Sequence, residues 1–448
     1  MKETTEDRKP YLTAFARLEK RLPSNGRSWV APLRKEAIAR FADLGFPTVK
    51  DEAWRSTSLA RLTKIPFAPA EGGRVEGLTP ELLERLTFEP WDCSHLVFVN
   101  GRYAPDLSRL RAQPVGVRVM SLAEALASER SLLEPHLGRL ARAADRTQVF
   151  AALNTAFLED GAFLHVPAGV VIEEPIHLLF VSTANGRPAM SHPRVLVAAG
   201  EASQATLVES FVGIRNDVYF TNAVTEIVAG PAAVIDHYRL QRESEEAFHI
   251  TTLAAEVGRG ASYACHAVAL GGGLVRNDVS VVLGGEGGDC TLNGLYVTAG
   301  RQHVDNHTLI DHASPRCTSR ELYKGVLDDA SRGVFDGMII VRPDAVRSDA
   351  RQENRNLLLS EEALVDTKPT LQILNDDVKC SHAATIGQLD EDALFYLRSR
   401  GLGEEAARSL LIHAFTGDLV GRIKVSPVRV GLDCLLMTRL PRHHGARV

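Results

Sequence analysis

Residues 195–209 read VLVAAGEASQATLVE, residues 225–238 read TEIVAGPAAVIDHY, residues 254–267 read AAEVGRGASYACHA and residues 280–294 read SVVLGGEGGDCTLNG. Each is a short strand-like run, a turn centred on a glycine (Gly200, Gly230, Gly258, Gly284) and a second strand-like run. The turns recur every 26 to 30 residues, a spacing typical of repeat architectures. One such unit is too short to bury its own face, whereas stacked units share a continuous core. No helical pattern separates the strands, which excludes doubly wound and (β/α)-barrel folds. A β-sandwich would also give regular short strands, but the longer period fits a coiled β-solenoid better.

Outward from this stretch, the strand-and-glycine texture spans about residues 162–359. Before it, Tyr11, Phe15, Leu18 and Leu22 recur at helical spacing, and Leu33, Ala37, Phe41 and Leu44 line a second helix. Pro32 suits the first turn of that second helix, and Gly45 and Pro47 end it. Short strand-like runs occupy residues 96–119. Ser121 with Glu124 forms a capping box opening a short helix, and helical patterns follow over residues 132–140 and 148–158. After the solenoid, Asp390 caps a helix through Ala393, Leu394 and Leu397 that stops at Gly401. A second helix starts after Gly403, with an apolar stripe of Ala407, Leu410, Leu411, Ala414 and Phe415 and an end at Gly417. A last apolar segment covers residues 428–440. The expectation is a mainly β protein in three regions: 1–160, mostly helical with a short α/β segment; 161–385, the solenoid core; 386–448, helical. The C-terminal helices are expected to cap the solenoid, to fill a partner groove, or both.

The 448-residue chain carries a net charge of −5 with 45% hydrophobic and 24% charged residues. That balance argues against nucleic-acid binding. No apolar run approaches the roughly 18 residues of a membrane helix, and residues 1–8 are charged with no apolar stretch behind them, so no signal peptide is expected. The six cysteines (93, 265, 290, 317, 380, 434) show no CxxC spacing. This usage suits a reducing cytosol with mostly buried thiols. The glycine-rich stretches 271–273 and 284–288 are followed neither by Lys-Ser/Thr nor by a helix, so they read as tight turns rather than phosphate loops, and the chain does not read as an ATPase. There is no GxSxG or HExxH motif. The adjacent acidic pairs would point to opposite faces of a strand and form no catalytic dyad.

The segment DDVKCSHAATIG (residues 376–387) contains the most informative chemistry. On an extended strand Cys380 and His382 point to one face, with Cα atoms about 6–7 Å apart. A thiolate and an imidazole at that spacing can converge on one soft metal. Two ligands do not close a site, so completion would have to come from another chain. His303, His307 and His312 cannot share a metal on one strand, since four residues span about 13 Å and the last two have opposite parity. They read as structural, pairing with Asp305 and Asp311. His165, His177, His237, His249 and His266 read as structural, and Cys265, Cys290 and Cys317 as buried packing.

Longer runs carry a family resemblance. RELYKGVLDDASRGVFDGMIIVRPDA (320–345) and LLLSEEALVDTKPTLQILNDDVKCSHAATIGQLDEDALFYLRSRGL (357–402) strongly resemble the SufD family of iron–sulfur cluster assembly scaffolds, and more loosely its paralogue SufB. LVFVNGRY (96–103), LNTAFLEDGAFLHVPAGVVIEEPIHLLFVS (153–182), RQHVDNHTLIDHASP (301–315) and GFPTVKDEAWRSTSL (45–59) are similar to it as well. The resemblance implies a right-handed parallel β-helix between helical terminal regions, in a cytoplasmic, non-catalytic scaffold. It implies a heterodimer with SufB through the β-helix end, and docking of the ATPase SufC on the C-terminal helices. The candidate docking residues are Phe395, Arg398, Arg400, Gly401, Leu410, Leu411 and Phe415. It also implies a transient iron–sulfur cluster shared with SufB, for which His382 matches the histidine of the CSH-type motif and Cys380 its neighbour. Binding of reduced flavin by the complex, and homodimerisation of the isolated chain, stay open. The missing acidic residue after His382 favours SufD over SufB. Ala383 stands where the family commonly has glycine, and residues 424–434 are less charged and less helix-like than the family pattern. Two readings from other classes compete. A carbohydrate-active β-helix enzyme would want secretion, convergent carboxylates and aromatic platforms. A SufB-like homodimeric scaffold would have no metal role.

Overall fold

The computed structural model describes residues 7–21, 28–70, 78–88, 91, 93–142, 148–184 and 186–439. The N-terminal region carries α1 (Lys9–Arg21), α2 (Ala31–Leu44), a single turn at Glu52–Trp54, β1 (Ala68–Pro69), α3 (Pro80–Leu86), β2 (Ser94–Val99), β3 (Arg102–Tyr103), β4 (Arg118–Ser121), α4 (Leu122–Ser128), α5 (Arg130–Leu133) and α6 (Val149–Ala156). The strands β5 (Gly161–Val166), β6 (Ile176–Ser182), β7 (Ala189–Ser191), β8 (Arg194–Ala199), β9 (Gln204–Gly213), β10 (Tyr219–Ala229), β11 (Val234–Arg242), β12 (Phe248–Val257) and β13 (Ser262–Ala269) follow. Then come β14 (Leu274–Leu283), β15 (Asp289–Thr298), β16 (His303–His312), β17 (Thr318–Leu327), β18 (Arg332–Val341), β19 (Asp349–Leu358), β20 (Leu364–Ile373) and β21 (Lys379–Gly387). The chain continues through α7 (Glu391–Ser399), α8 (Glu404–Val420) and α9 (Ser426–Arg439).

Successive strands alternate between two sheets. One runs β4-β5-β8-β10-β12-β14-β16-β18-β20, the other β3-β2-β6-β9-β11-β13-β15-β17-β19-β21. From β5 and β6 onward each strand pairs in parallel with the strand one coil later, as in Phe248↔Leu274 and Val234↔Ser262. This is a β-solenoid of about eight turns. The expected solenoid is therefore present, and the sandwich is not.

The glycine turns explain the period. The Gly230 and Gly258 amides donate to Ala199 and Ala229 oxygens at 2.8 and 2.9 Å. A Cβ on either glycine would lie at those same distances from the carbonyl of the preceding coil, inside the normal contact limit. Two residues past Gly200, Gly230, Gly258 and Gly285, and past Ser314 and Ala345 in the later coils, Ala202, Ala232, Gly260, Gly287, Arg316 and Arg347 all take left-handed φ angles, between 52° and 71°. Each donates its amide to the next coil, for example Ala232 to Arg259 and Arg316 to Val346, both at 2.8 Å. The repeat is thus a stacked column of one turn conformation.

The two sheets enclose a lumen. Near its N-terminal end it is apolar, with Phe98, Phe180 and Phe211 stacked at 4.8 Å per step. Further along, glycines on the strands make room for large rings. A Cβ at Gly294 would lie 2.1 Å from the Tyr323 ring, and one at Gly325 would lie 2.4 Å from the Tyr296 ring. Such strand glycines mark close approach rather than flexibility.

The N-terminal region is pinned to the outer face of the first sheet. Arg276 stacks 3.8 Å over Trp54 and donates to the Ala53 oxygen at 2.7 Å. The Thr57 hydroxyl donates to Asp305 at 2.5 Å. Glu226, fully buried, accepts the Gly138, Leu140 and Ala141 amides at 2.9, 2.9 and 3.0 Å and pairs with buried Arg194 at 2.5 Å. The groove of about 670 Å³ between this region and the sheet contains Asp278, His307 and Lys368, which pair with Arg276, Asp305 and Glu52 at 2.7, 3.0 and 3.0 Å.

Several local expectations hold. Tyr11, Phe15 and Leu18 are buried on α1, while Leu22 lies outside the described residues. Gly45, at φ 65°, ends α2 by donating to Phe41. Ser121 caps α4 by accepting the Glu124 amide at 3.1 Å. The helix expected over 132–140 shrinks to the single turn α5, because Pro135 supplies no amide to continue it and Gly138 takes φ 71°. α8 does not stop at Gly417 but reaches Val420. Its buried stripe is Ala407, Ile412, Thr416, Leu419 and Val420, whereas Leu410 is exposed. The helix is rotated so that Leu419 and Val420 meet the outer face of the second sheet. Of residues 424–434, read as less helix-like, all from Ser426 onward lie in the helix α9, which buries Val428, Leu432 and Leu436.

Candidate functional site: the open end of the solenoid

The two ends of the solenoid differ. At the N-terminal end the sheets close on the short antiparallel strands β4 and β3. At the other end β20 and β21 are, among the described residues, the last strands of their sheets, pairing with β18 and β19. Their outer edges, 10 and 9 residues long, carry backbone groups with no strand of the described residues beside them. Long bare edges are surfaces that proteins ordinarily cover or pair. The expected capping of the solenoid by the C-terminal helices does not occur. α8 and α9 lie along the flank of the second sheet, packing Leu419, Val420, Ile423, Val428, Leu432 and Leu436 against Val208, Tyr238, Leu240, Val268 and Leu295. Lys324 fixes them there, donating to the Phe415 oxygen at 2.8 Å and to Asp418 at 2.6 Å.

The open rim is apolar at its margins. Leu364, Ile373, Leu374 and Ile386 are 61, 42, 51 and 51% exposed. Cys380 and His382 lie on β21 in register with Ala350 and Gln352 of β19. Since Ala350 and Gln352 are buried between the sheets, both candidates stand on the lumen-facing side, as their spacing predicts. Cys380 is half-buried and packs against the solenoid core, and His382 is exposed. Burial pushes the Cys380 thiol above its ordinary value, the Ala350 backbone opposes this, and Asp349 adds to it. A metal binding there must displace the thiol proton. Among the described residues no cluster of three or more His, Cys, Asp or Glu side chains could hold a metal.

Beneath the rim the lumen is polar, a feature the residue-by-residue reading passed over. β19 carries RQENRN at 351–356, with Gln352, Asn354 and Asn356 buried inside and Arg351, Glu353 and Arg355 outside. The period-two alternation of amide and charge was the available signal. Tyr296 donates to Asn356 at 2.5 Å, and Asn356 to Asn354 at 2.6 Å. Gln352 Nε2 donates to Glu321 Oε2 at 2.7 Å. Burial pushes the Glu321 carboxyl up to about 7, against the opposing Gln352 hydrogen bond. Deeper still, burial and the adjacent Glu209 carboxylate act oppositely on His237, and Glu209 with Cys265 brings it up to about 9. The histidine network on β16 differs in part from expectation. His307 pairs with Asp305 at 3.0 Å, but inward-facing His312 bonds Ser319 at 2.8 Å. Asp311, on the outer face, pairs instead with Arg342, at 2.9 Å.

A second exposed apolar surface lies on the C-terminal helices. Phe395 and Tyr396 of α7 are 74 and 56% exposed, and Leu402 and Leu410 stand out as well. Arg398 pairs with Glu404 at 3.4 Å, and Arg400 sits 5.1 Å from the Tyr396 ring centre. Gly401, at φ 92°, makes the turn. Leu411 and Phe415 are half-buried, Phe415 against Lys324 and the second sheet. Of the candidate docking residues, Phe395, Arg398, Arg400, Gly401 and Leu410 are therefore exposed.

These features define a class: a two-sheet parallel β-solenoid scaffold with one closed end, one open end, and a thiol–imidazole pair on the open rim. Residues 180–415 match the family model of the SUF system FeS cluster assembly SufBD core domain, and residues 5–178 match that of the SufBD protein N-terminal region. An iron–sulfur cluster assembly SufBD family protein of Synechocystis is 37% identical over 88% of each chain. The iron–sulfur cluster assembly protein SufD of Escherichia coli is 30% identical over 93% of this chain and 94% of its own. SufD of Bacillus subtilis is 27% identical over 90% and 92%. The chain belongs to the SufBD family, and its role lies in Suf-system iron–sulfur cluster assembly. Among the described residues no helix is long and apolar enough to cross a membrane.

Proposed function

We propose that this chain is the SufD-type scaffold subunit of a cytoplasmic Suf complex. Its open end pairs with the corresponding end of a SufB-type subunit. The nascent iron–sulfur cluster, the cargo of the complex, is assembled between the two rims, with His382 and secondarily Cys380 as ligands. The observation that carries this reading is the pair of bare edge strands β20 and β21, with both candidate ligands on their lumen-facing side. A half-site with two donors suits a scaffold that must release what it builds, and the partner supplies the remaining ligands. The exposed α7–α8 patch around Phe395 and Leu410 docks a SufC-type ATPase. Nucleotide-driven closure of that ATPase pulls on helices fixed to the flank of the second sheet through Lys324 and Lys424, and so works the joint between the rims. The chain itself acts as a non-catalytic scaffold.

The test is reconstitution of the three-protein complex with His382→Ala and, separately, Cys380→Ala. The expected result is loss of cluster yield with the complex intact, larger for His382. Normal yield from an intact His382→Ala complex refutes the ligand assignment, and failure to recover an ATPase partner in co-purification refutes the docking assignment.

A further inference from the structure

Gln352 occupies one column of the lumen between two groups. One coil inward, its Nε2 donates to Glu321 Oε2 at 2.7 Å. One coil outward, its register partner is His382. Gln352 is fully buried, and its Oε1 has no hydrogen-bond partner among the described residues. A buried amide oxygen left bare is costly and calls for an explanation.

The chemistry of the column supplies one. The Gln352 amide nitrogen is already committed to Glu321, so the amide oxygen is left for the other side. Space for this arrangement is built in, because a Cβ at Gly337 would lie 2.4 Å from Gln352 Nε2. Adjacent strands are about 4.8 Å apart, which brings an imidazole N–H of His382 within reach of that oxygen by side-chain rotation alone. Histidines that bind metal through one nitrogen regularly donate the other N–H to a carbonyl or carboxylate, which sets the tautomer and the ring orientation.

We propose that Glu321 and Gln352 are positioning residues for His382: the carboxylate fixes the amide, and the amide oxygen accepts the N–H of whichever imidazole nitrogen does not face the cargo. The proposal rests on the reading of His382 as a ligand, but its test does not. Histidine-selective ¹⁵N labelling of the full chain reports the His382 tautomer, assigned by the signal that disappears in His382→Gln. The wild-type ring is expected to hold one tautomer. Glu321→Gln, which lets residue 321 donate as well as accept, and Gln352→Leu, which removes the amide, are each expected to reduce that bias about 2- to 10-fold, the worth of one net hydrogen bond. Glu321→Gln keeps the side-chain shape and serves if Gln352→Leu fails to fold. A freely mixed tautomer in the wild-type chain, or an unchanged bias in a folded variant, overturns the proposal. If His382 is fixed by Gln352 yet dispensable for cluster yield, the ligand reading falls and the positioning stands. If His382 is required for yield while its tautomer ignores both variants, only the positioning falls.

Discussion

Replacing Glu226 by glutamine tests how the N-terminal region is held to the solenoid. The carboxylate is 0% exposed and accepts three backbone amides besides the Arg194 guanidinium, which is equally buried. A glutamine offers one acceptor oxygen, and its NH₂ group would face either the amides or the guanidinium. Arg194 would keep only Asn154 and Thr155, at 3.0 and 3.1 Å, as an uncompensated buried cation. Breaking such a pair costs about 3–5 kcal/mol. At about 1.4 kcal/mol per decade, the amides of Gly138, Leu140 and Ala141 should exchange with solvent deuterium about two to three and a half decades faster. Burial opposes ionisation of Glu226, but Arg194 and the amides prevail and hold its pKa below the usual carboxylate range. Its contribution is therefore present above the unfolded-state pKa and is lost as pH falls through the lower folded value. Glu226→Gln should flatten that acid limb of a urea-unfolding series. The double variant Arg194→Met/Glu226→Leu should recover only the part due to the uncompensated Arg194 charge, since the Gly138, Leu140 and Ala141 amides still lose their acceptor. Unchanged exchange at residues 138–141, with a stability loss below about 1 kcal/mol, would refute the reasoning.

Further outcomes follow from the lumen and the two exposed surfaces. Gly294→Ala forces a methyl group into the Tyr323 ring and should destabilise by about 1–3 kcal/mol in urea unfolding, with partial rescue by Tyr323→Leu. His237 is held up at about 9 and Glu209 down at about 2 against the burial of both. The histidine contribution is full below its unfolded pKa and is lost as pH rises through 9, while that of Glu209 is lost as pH falls through 2. His237→Gln should therefore abolish the decline in stability between about pH 6.5 and 9. On the proposed rim pairing, Ile386→Asp places a carboxylate in the joint and should weaken that association at least about 100-fold by sedimentation or calorimetry, because an unpaired charge would be desolvated there. On the proposed docking of a SufC-type ATPase, Phe395→Ala should lower its capture while leaving the rim association unchanged, as read by co-purification.

The glycine turns made the solenoid legible because close stacking of the earlier coils leaves no room for a Cβ at Gly200, Gly230, Gly258 and Gly285; the later coils carry Ser314 and Ala345 at that place. Cys380 and His382 were legible as a same-face pair through strand parity. The openness of the rim was not, since no local signal distinguishes a last coil from any other; it emerges only when the C-terminal helices turn away to the flank. The rotation of α8 was misread for a related reason. Leu410 and Leu411 look like core by composition, but Ile412, Leu419 and Val420 are the residues facing the second sheet. Gln352 and Glu321 were overlooked because a polar residue in a strand ordinarily points outward, and here the interior is where the amides go.

The column of left-handed turns has a consequence for length. Because Ala202, Ala232, Gly260, Gly287, Arg316 and Arg347 hand the chain from one coil to the next in the same conformation, a whole coil of 27 to 31 residues could be gained or lost between two such turns without altering either end. Each event would move the rim along the solenoid axis by one strand spacing, about 4.8 Å. The distance between the N-terminal region and the rim is in that sense quantised, and a partner gripping both the rim and the flank helices would act as a gauge that rejects any other number of coils.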